Sequence, residues 1–185
     1  MGKLSVFNFI TLNGYYKGLN EDISWHRHEA EEADYAAESA NTEDSTLVFG
    51  RVTYEMMQGF WTTPMAMKVN PGVATGMNRA EKIVFSRTLD SVDWHNTRLI
   101  KEDLIGEISR LKAIPDKNMT ILGSGNIVSQ LAEAGLIDVY QLMLDPVALG
   151  DGATLFEGIS RKLDLKLINS RVFKSGVVML DYEPV

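Results

Sequence analysis

The chain has no cysteine among its 185 residues. That excludes disulfides, a thiolate nucleophile and cysteine-ligated zinc together. A basic block is missing as well: 18 Lys and Arg stand against 25 Asp and Glu, a net charge of −7. Such a balance disfavours a nucleic-acid partner. No stretch approaches the roughly 18 apolar residues of a membrane span, so no membrane partner is expected. Met1–Ile10 lacks the apolar core and small-residue cleavage site of a secretory leader. With the absent cysteines, this points to a cytoplasmic protein. Histidine is scarce too, at three residues. His26 and His28 are spaced i, i+2, which separates them on a helix, and no metal site is expected.

Proline is also sparse, at five residues, and neither a linker nor a repeat interrupts the chain. Residues 1–185 therefore read as one domain, long enough to bury a sizeable core. The organising stretch is Met119–Gln130. Met119–Leu122 reads as a buried strand. Gly123-Ser124-Gly125 follows, and Asn126 opens a helical pattern with Ile127, Val128, Leu131 and Ala134 on one face and Gly135 as its stop. Such a junction brings backbone close to a ligand and aims a helix N-terminus at a phosphate. An ordinary tight turn has the same sequence.

Leu4–Leu12 reads as a first strand ending in Thr11-Leu12-Asn13-Gly14, then a loop through Tyr15 and Tyr16 to Trp25, either a flap or a plain surface loop. Glu21–Asp44 is acidic, with Ala30, Ala33, Ala37 and Ala40 at helical spacing. Asp34 borders that stripe. A carboxylate there is either solvated or set at a cleft edge to bind or protonate a substrate. Ser45–Phe49 is a second strand, running into a helix from Gly50 to Met57 that Gly59 stops, with Val52 and Met56 inward. Arg51 and Thr53 stand in its first turn, and an Arg fork suits phosphate.

Phe60–Pro71 reads as irregular. Glu81–Phe85 is a third strand ending in Ser86-Arg87-Thr88, a phosphate pocket or a surface turn. Thr97–Lys101 is a fourth strand. Asp103 caps a helix whose inner face is Leu104, Ile105, Ile108 and Leu111. Leu136–Leu144 suits a central strand, covered on both faces. Leu163–Phe173 and Val177–Glu183 form a closing hairpin, so the sheet is mixed. If the second, third and Met119–Leu122 strands are parallel neighbours, three phosphate-friendly ends share one edge, where open α/β sheets bind ligands. A ligand with a diphosphate and an extra phosphate, as NADPH has, would use all three.

Phe49-Gly50-Arg51-Val52-Thr53-Tyr54-Glu55, Val84-Phe85-Ser86-Arg87, Ile121 to Ile127, and Leu149-Gly150-Asp151-Gly152 with Leu155-Phe156 occur in order. Together they resemble the dihydrofolate reductase superfamily. The closer likeness is to the C-terminal reductase domain of the bifunctional riboflavin-biosynthesis deaminase/reductase, whose Ser-Leu-Asp-Gly is similar to Thr11-Leu12-Asn13-Gly14. The resemblance implies an α/β three-layer fold: a central mixed, mostly parallel sheet of about eight strands, flanked by helices, with a C-terminal antiparallel hairpin.

It also implies an NADPH-dependent oxidoreductase, a homodimer, passing hydride to a C=N or aldose-type carbon of a small pterin-like or ribosylamino-pyrimidine substrate. Arg51, Thr53, Ser86, Arg87 and Thr88 would hold the adenosine side and its 2′-phosphate, beside Gly50. Gly123, Ser124, Gly125 and Asn126 would line the diphosphate. Thr11 and Asn13 would lie near the nicotinamide. Asp34 would be the catalytic and substrate-binding carboxylate, with Trp25 and Met57 bordering the substrate. A dihydrofolate reductase and a non-catalytic NADPH-binding module are the alternatives. The chain departs from the pattern at Asn13, and it lacks the zinc motif of a cytidine deaminase.

Overall fold

Strict alternation makes the first strand. Leu4 and Val6 are fully buried on one face, while Phe7 and Phe9 pack on the other, as period 2 requires. The computed structural model describes residues 1–27, 31, 32, 35 and 45–185. Its strands are β1 (Leu4–Thr11), β2 (Tyr15–Lys17), β3 (Ser45–Gly50), β4 (Lys82–Phe85), β5 (Thr97–Ile100), β6 (Asn118–Leu122), β7 (Val139–Asp145), β8 (Ala153–Thr154), β9 (Leu165–Val172) and β10 (Val178–Pro184). The helices are α1 (Arg51–Trp61), α2 (Pro64–Val69), α3 (Pro71–Arg79), α4 (Leu104–Lys112) and α5 (Gly125–Glu133).

Eight strands form one sheet in the order β5-β4-β3-β6-β1-β7-β10-β9, and β2 pairs separately with β8. From β5 to β7 every pairing is parallel; β10 runs antiparallel to both β7 and β9. This is the mixed, mostly parallel three-layer α/β fold, with its C-terminal hairpin at the edge.

Helices cover both faces. On one, Ile108 and Leu111 of α4 and Ile127, Val128 and Leu131 of α5 join Leu4, Val6 and Ile121. On the other, Tyr54 of α1 and Val73 and Met77 of α3 pack with Phe49, Val84 and Trp94. A third cluster, Met143, Phe173, Val177 and Met179, takes Phe7, Phe9 and Tyr35 against it. Phe7 lies beside Leu122, which packs on the second cluster, so these two clusters share one face of the sheet.

Several expectations fail for identifiable reasons. Phe60–Pro71 is not irregular. Pro64 and Pro71 stand at the first positions of α2 and α3, where a missing N–H costs nothing, and Thr63 and Asn70 cap the two helices. Gly59 does not stop α1, which runs on to Trp61. Val52 and Met56 point outward, 39% and 37% exposed, because Thr53 and Tyr54 face the sheet instead. Ile105 and Ala134 are likewise exposed rather than inward. Asp103 caps α4 as expected, accepting from Gly106 N at 3.0 Å. The alanine stripe at residues 30–40, His28 and Asp34 lie outside the described residues.

Candidate functional site

β4, β3 and β6 are consecutive parallel neighbours, so the three ends marked in the sequence lie along one edge. The β3–α1 and β6–α5 junctions touch. A β-carbon on Gly50 would collide with the Ser124 hydroxyl, and one on Gly123 would come within 3.0 Å of Thr53 Oγ1. Gly123 takes φ +62, a backbone region that glycine enters freely. Gly125 opens α5 beneath the ring of Tyr16: an added β-carbon would meet Tyr16 Cε1 at 2.8 Å.

The helix starts differ in one respect. Thr63, Asn70 and Asp103 cap α2, α3 and α4 with side-chain oxygens. α1 and α5 begin at Gly50 and Ser124 with no side-chain cap bond. First-turn N–H groups without a cap seek an outside acceptor. Here two such sets, with the positive ends of both helix dipoles, meet at one place. The chemistry matches a diphosphate.

The flanking residues are less uniform. Arg51 is exposed and pairs with Glu55 on its own helix at 2.9 Å. Arg87 is exposed and forms no ion pair among the described residues. The Ser86 hydroxyl accepts from Thr88 N and Leu89 N at 3.2 and 3.1 Å and meets Thr88 Oγ1, so it shapes the turn that presents Arg87. Thr53 is buried against the Gly123 turn. Asn126 is exposed and accepts from Gln130 at 2.6 Å.

Thr11 and Asn13 serve the loops above β1. Thr11 is fully buried; its hydroxyl donates to Asn13 Oδ1 at 2.8 Å and accepts from Tyr15 N at 3.0 Å. Asn13 then exchanges two bonds with the Leu149 backbone. The resemblance puts both near the nicotinamide. In the fold they also fix the β1 exit against the 146–149 segment.

On the face shared by the second and third clusters, half-buried Phe7 and Leu122 lie side by side as a floor. Met57 stands on the α1 side, its sulfur accepting from Trp61 Nε1 at 3.2 Å. On the other side Trp25 meets His26 edge-on, with ring centres 4.2 Å apart, and His26 stacks on Phe9 at 4.6 Å. Trp25 thus lies on the Phe9 side of this face, through His26, and Met57 on the α1 side.

Two carboxylates that the sequence did not single out are buried at this edge. Asp145 ends β7 beside Thr11, is fully buried, and accepts from Arg27 N at 2.9 Å. Glu32 is 3% exposed. It accepts a bond from the Ser175 hydroxyl in the β9–β10 turn, while its Oε2 has no hydrogen-bond partner among the described residues. The Arg27 guanidinium donates to the carbonyl of the same Ser175 at 3.1 Å. Glu32 looked like one solvated charge in an acidic run; only tertiary packing tells it from its neighbours. No group of three or more His, Cys, Asp or Glu among the described residues is arranged to hold a metal.

Comparison with known proteins decides the lineage. The RibD C-terminal domain family matches residues 3–179, nearly the whole chain. The chain belongs to that family. YyaP of Bacillus subtilis (strain 168) is 27% identical over 177 residues, covering 94% of this chain and 90% of that protein. A riboflavin biosynthesis protein of Shewanella sp. PV-4 superposes with a TM-score of 0.76 at 22% identity, covering 99% of both chains. Dihydrofolate reductase of Enterococcus faecalis, solved with NADP(H), superposes with a TM-score of 0.66 at 17% identity, covering 99% of this chain and 96% of that one. At these identities the structural likeness is one of fold. RibD C-terminal domain membership makes this a reductase-like chain. No helix among the described residues is long and apolar enough to cross a membrane.

Proposed function

We propose that this chain is an NADPH-dependent reductase of a small heterocyclic substrate, pterin-like or a ribosylamino-pyrimidine. The observation that carries the reading is the pair of uncapped helix starts meeting at Gly50 and Ser124. The residues present fit the cofactor. First-turn amides of α1 and α5 take the diphosphate. Arg87, and Arg51 once released from Glu55, take the 2′-phosphate through charge-assisted bonds. When bound, the dihydronicotinamide supplies the hydride.

The protein supplies the rest. The Phe7–Leu122 floor, between Met57 and Trp25, holds a flat ring and excludes water. Glu32, buried at the same edge with one oxygen unpartnered among the described residues, anchors a ring N–H or delivers a proton to the nitrogen of the reduced C=N bond. Asp34, on the same acidic segment, remains proposed in this role as well. The cytoplasmic location and the homodimer belong to the same proposal.

Titration of the protein with NADPH and NADH, followed by fluorescence, tests the reading. Tight NADPH binding with much weaker NADH binding is expected, followed by NADPH oxidation with a pterin or ribosylamino-pyrimidine. Binding of neither nucleotide overturns it. NADPH binding without oxidation by any such compound favours a binding module that lost turnover.

A further inference from the structure

His26 stacks on Phe9 with ring centres 4.6 Å apart, and Phe9 meets Phe7 edge-on at 5.5 Å. The imidazole therefore lies one ring away from the Phe7–Leu122 floor, on the same face of the sheet. Its neighbours hold it there. Trp25 meets it edge-on at 4.2 Å and is itself tied through Nε1 to the Asp22 carbonyl at 3.2 Å. The next amide along the chain, Arg27 N, donates to Asp145 at 2.9 Å. Phe9 pairs with Met143 and Thr11 with Asp145, so that carboxylate ends the same face, toward the cofactor edge. The charged groups that adjoin the imidazole among the described residues are thus Asp22 on its own loop, its neighbour Arg27, and Asp145 at the end of β7. The Asp22 carboxyl lies below its ordinary value, chiefly through bonds from Ser24 and in part through the charge of His26. His26 is half-buried, whereas Glu32 is 3% exposed.

We infer that His26 is the proton donor to the substrate nitrogen. This rests on the reductase reading above and leaves Glu32 the anchor of the substrate ring. The substrate carbon gains the hydride supplied by the bound dihydronicotinamide, and the nicotinamide ring is left positively charged. The C=N π pair moves to nitrogen and forms a new N–H bond with the proton of a His26 ring nitrogen, whose own N–H bond breaks. Neutral imidazole remains. Solvent, which reaches the half-buried ring, returns the proton. An imidazole carries and gives up a proton near neutrality, with an ordinary pKa of about 6.5, and a donor matched to the working pH is the efficient one. Glu32, sealed from water, has no such return path. A ring that turns positive also repels an imidazolium, so hydride transfer itself helps to drive the proton off.

The test uses binding alone. NADP+ carries the positive ring and NADPH the neutral one, and both carry the same phosphates, so the ratio of their affinities isolates the charge on the ring. Raising the pH removes the His26 proton and with it the repulsion. In the wild type the ratio of NADP+ to NADPH affinity is therefore expected to rise about three- to tenfold from about pH 5 to about pH 8. Calorimetry in buffers of different ionisation enthalpy is expected to show NADP+ binding releasing more protons than NADPH binding at about pH 6.5. His26→Phe, which keeps a ring on Phe9, and His26→Gln, which keeps a polar group, are both expected to flatten the ratio. The wild-type measurement needs no variant and stands even if neither substitution folds. A flat wild-type ratio overturns the assignment. So does a rise that survives in either variant, which would belong to a buried carboxylate such as Glu32 or Asp145, or a rise that is lost instead on replacing His28 or His95, the other two histidines of the chain. A wild type that binds neither nucleotide overturns the reductase reading itself.

Discussion

Gly50 and Ser124, where β3 and β6 hand over to their helices, stand so close that the serine hydroxyl occupies the space a side chain on Gly50 would need. Gly50→Ala is therefore expected to destabilise the fold by about 1–3 kcal/mol through overpacking, and to weaken NADPH binding by moving α1 from α5. Adding Ser124→Gly opens the space and is expected to restore more than half of the lost stability. Urea unfolding of the two single variants and the double variant measures the coupling. Strict additivity would remove this contact as the cause.

Arg51 and Arg87 differ in what they must give up to bind. Arg51 already pairs with Glu55 at 2.9 Å, whereas Arg87 forms no ion pair among the described residues. Arg87→Ala is expected to cost NADPH binding about 10–100-fold, the worth of one to two charged hydrogen bonds, with NADH binding little changed. Arg51→Ala should cost less. Glu55→Ala should tighten NADPH binding by freeing the guanidinium. Equal loss for NADH and NADPH in Arg87→Ala would sever that residue from the 2′-phosphate.

Glu32 is buried with one oxygen lacking a hydrogen-bond partner among the described residues. A buried carboxylate oxygen that finds no donor works against the fold. Glu32→Gln keeps its shape and its bond to Ser175 and removes the charge. The variant is expected to be as stable as the parent or more so, to bind NADPH normally, and to lose most NADPH oxidation once a substrate is found. A variant that melts lower and turns over normally would make Glu32 a structural partner of the β9–β10 turn.

Alkaline pH separates two other buried groups. The Lys82 side chain is fully buried, donates to the carbonyls of Met77, Asn78 and Ala80, and lies 4.7 Å from the Trp94 ring centre. Burial pushes its pKa down to about 8. The unfolded lysine still holds its proton between about 8 and 10.5, so the unfolded state binds more protons and stability should rise with pH across that window. Tyr140 runs the other way, its pKa pushed up by burial to about 12. Its contribution is whole below pH 10 and is lost as pH climbs toward 12. Urea midpoints against pH should therefore rise from 8 toward 10 and fall beyond. Lys82→Met should flatten the rise and Tyr140→Phe the fall.

Much of this was legible in the residues. Short apolar runs ending in Gly50, Ser86 and Gly123 announced strands with their chemistry at one end, and the parallel order β4-β3-β6 set those ends side by side. Leu163–Glu183 read as a hairpin because two strand-like runs flank the turn residues Ser175-Gly176, and β9 and β10 do pair antiparallel, with a register shift at Asp181/Tyr182. What escaped was decided by packing. Pro64 and Pro71 read as breakers when they were helix starts, since a proline signals either, depending on the cap before it. Val52 and Met56 have the right spacing for an inward face, but the turn at Gly50 rotates α1 so that Thr53 and Tyr54 face inward. Glu32 carries no local mark: it sits among many carboxylates, and only its burial distinguishes it.

β1 is flanked on one side by β6 and on the other by β7, so that Leu4 lies beside Met119, and Ser5 beside both Thr120 and Val139. β1 must therefore wait for its two partners, which leave the ribosome more than a hundred residues after it. Closing loops of that span before any pairing energy is gained slows folding. Until β6 emerges β1 has two open edges, and until β7 emerges it still has one. The meeting of the β3–α1 and β6–α5 junctions therefore cannot exist before residue 125 is made. A nucleotide that bound there would stabilise the folded population by mass action.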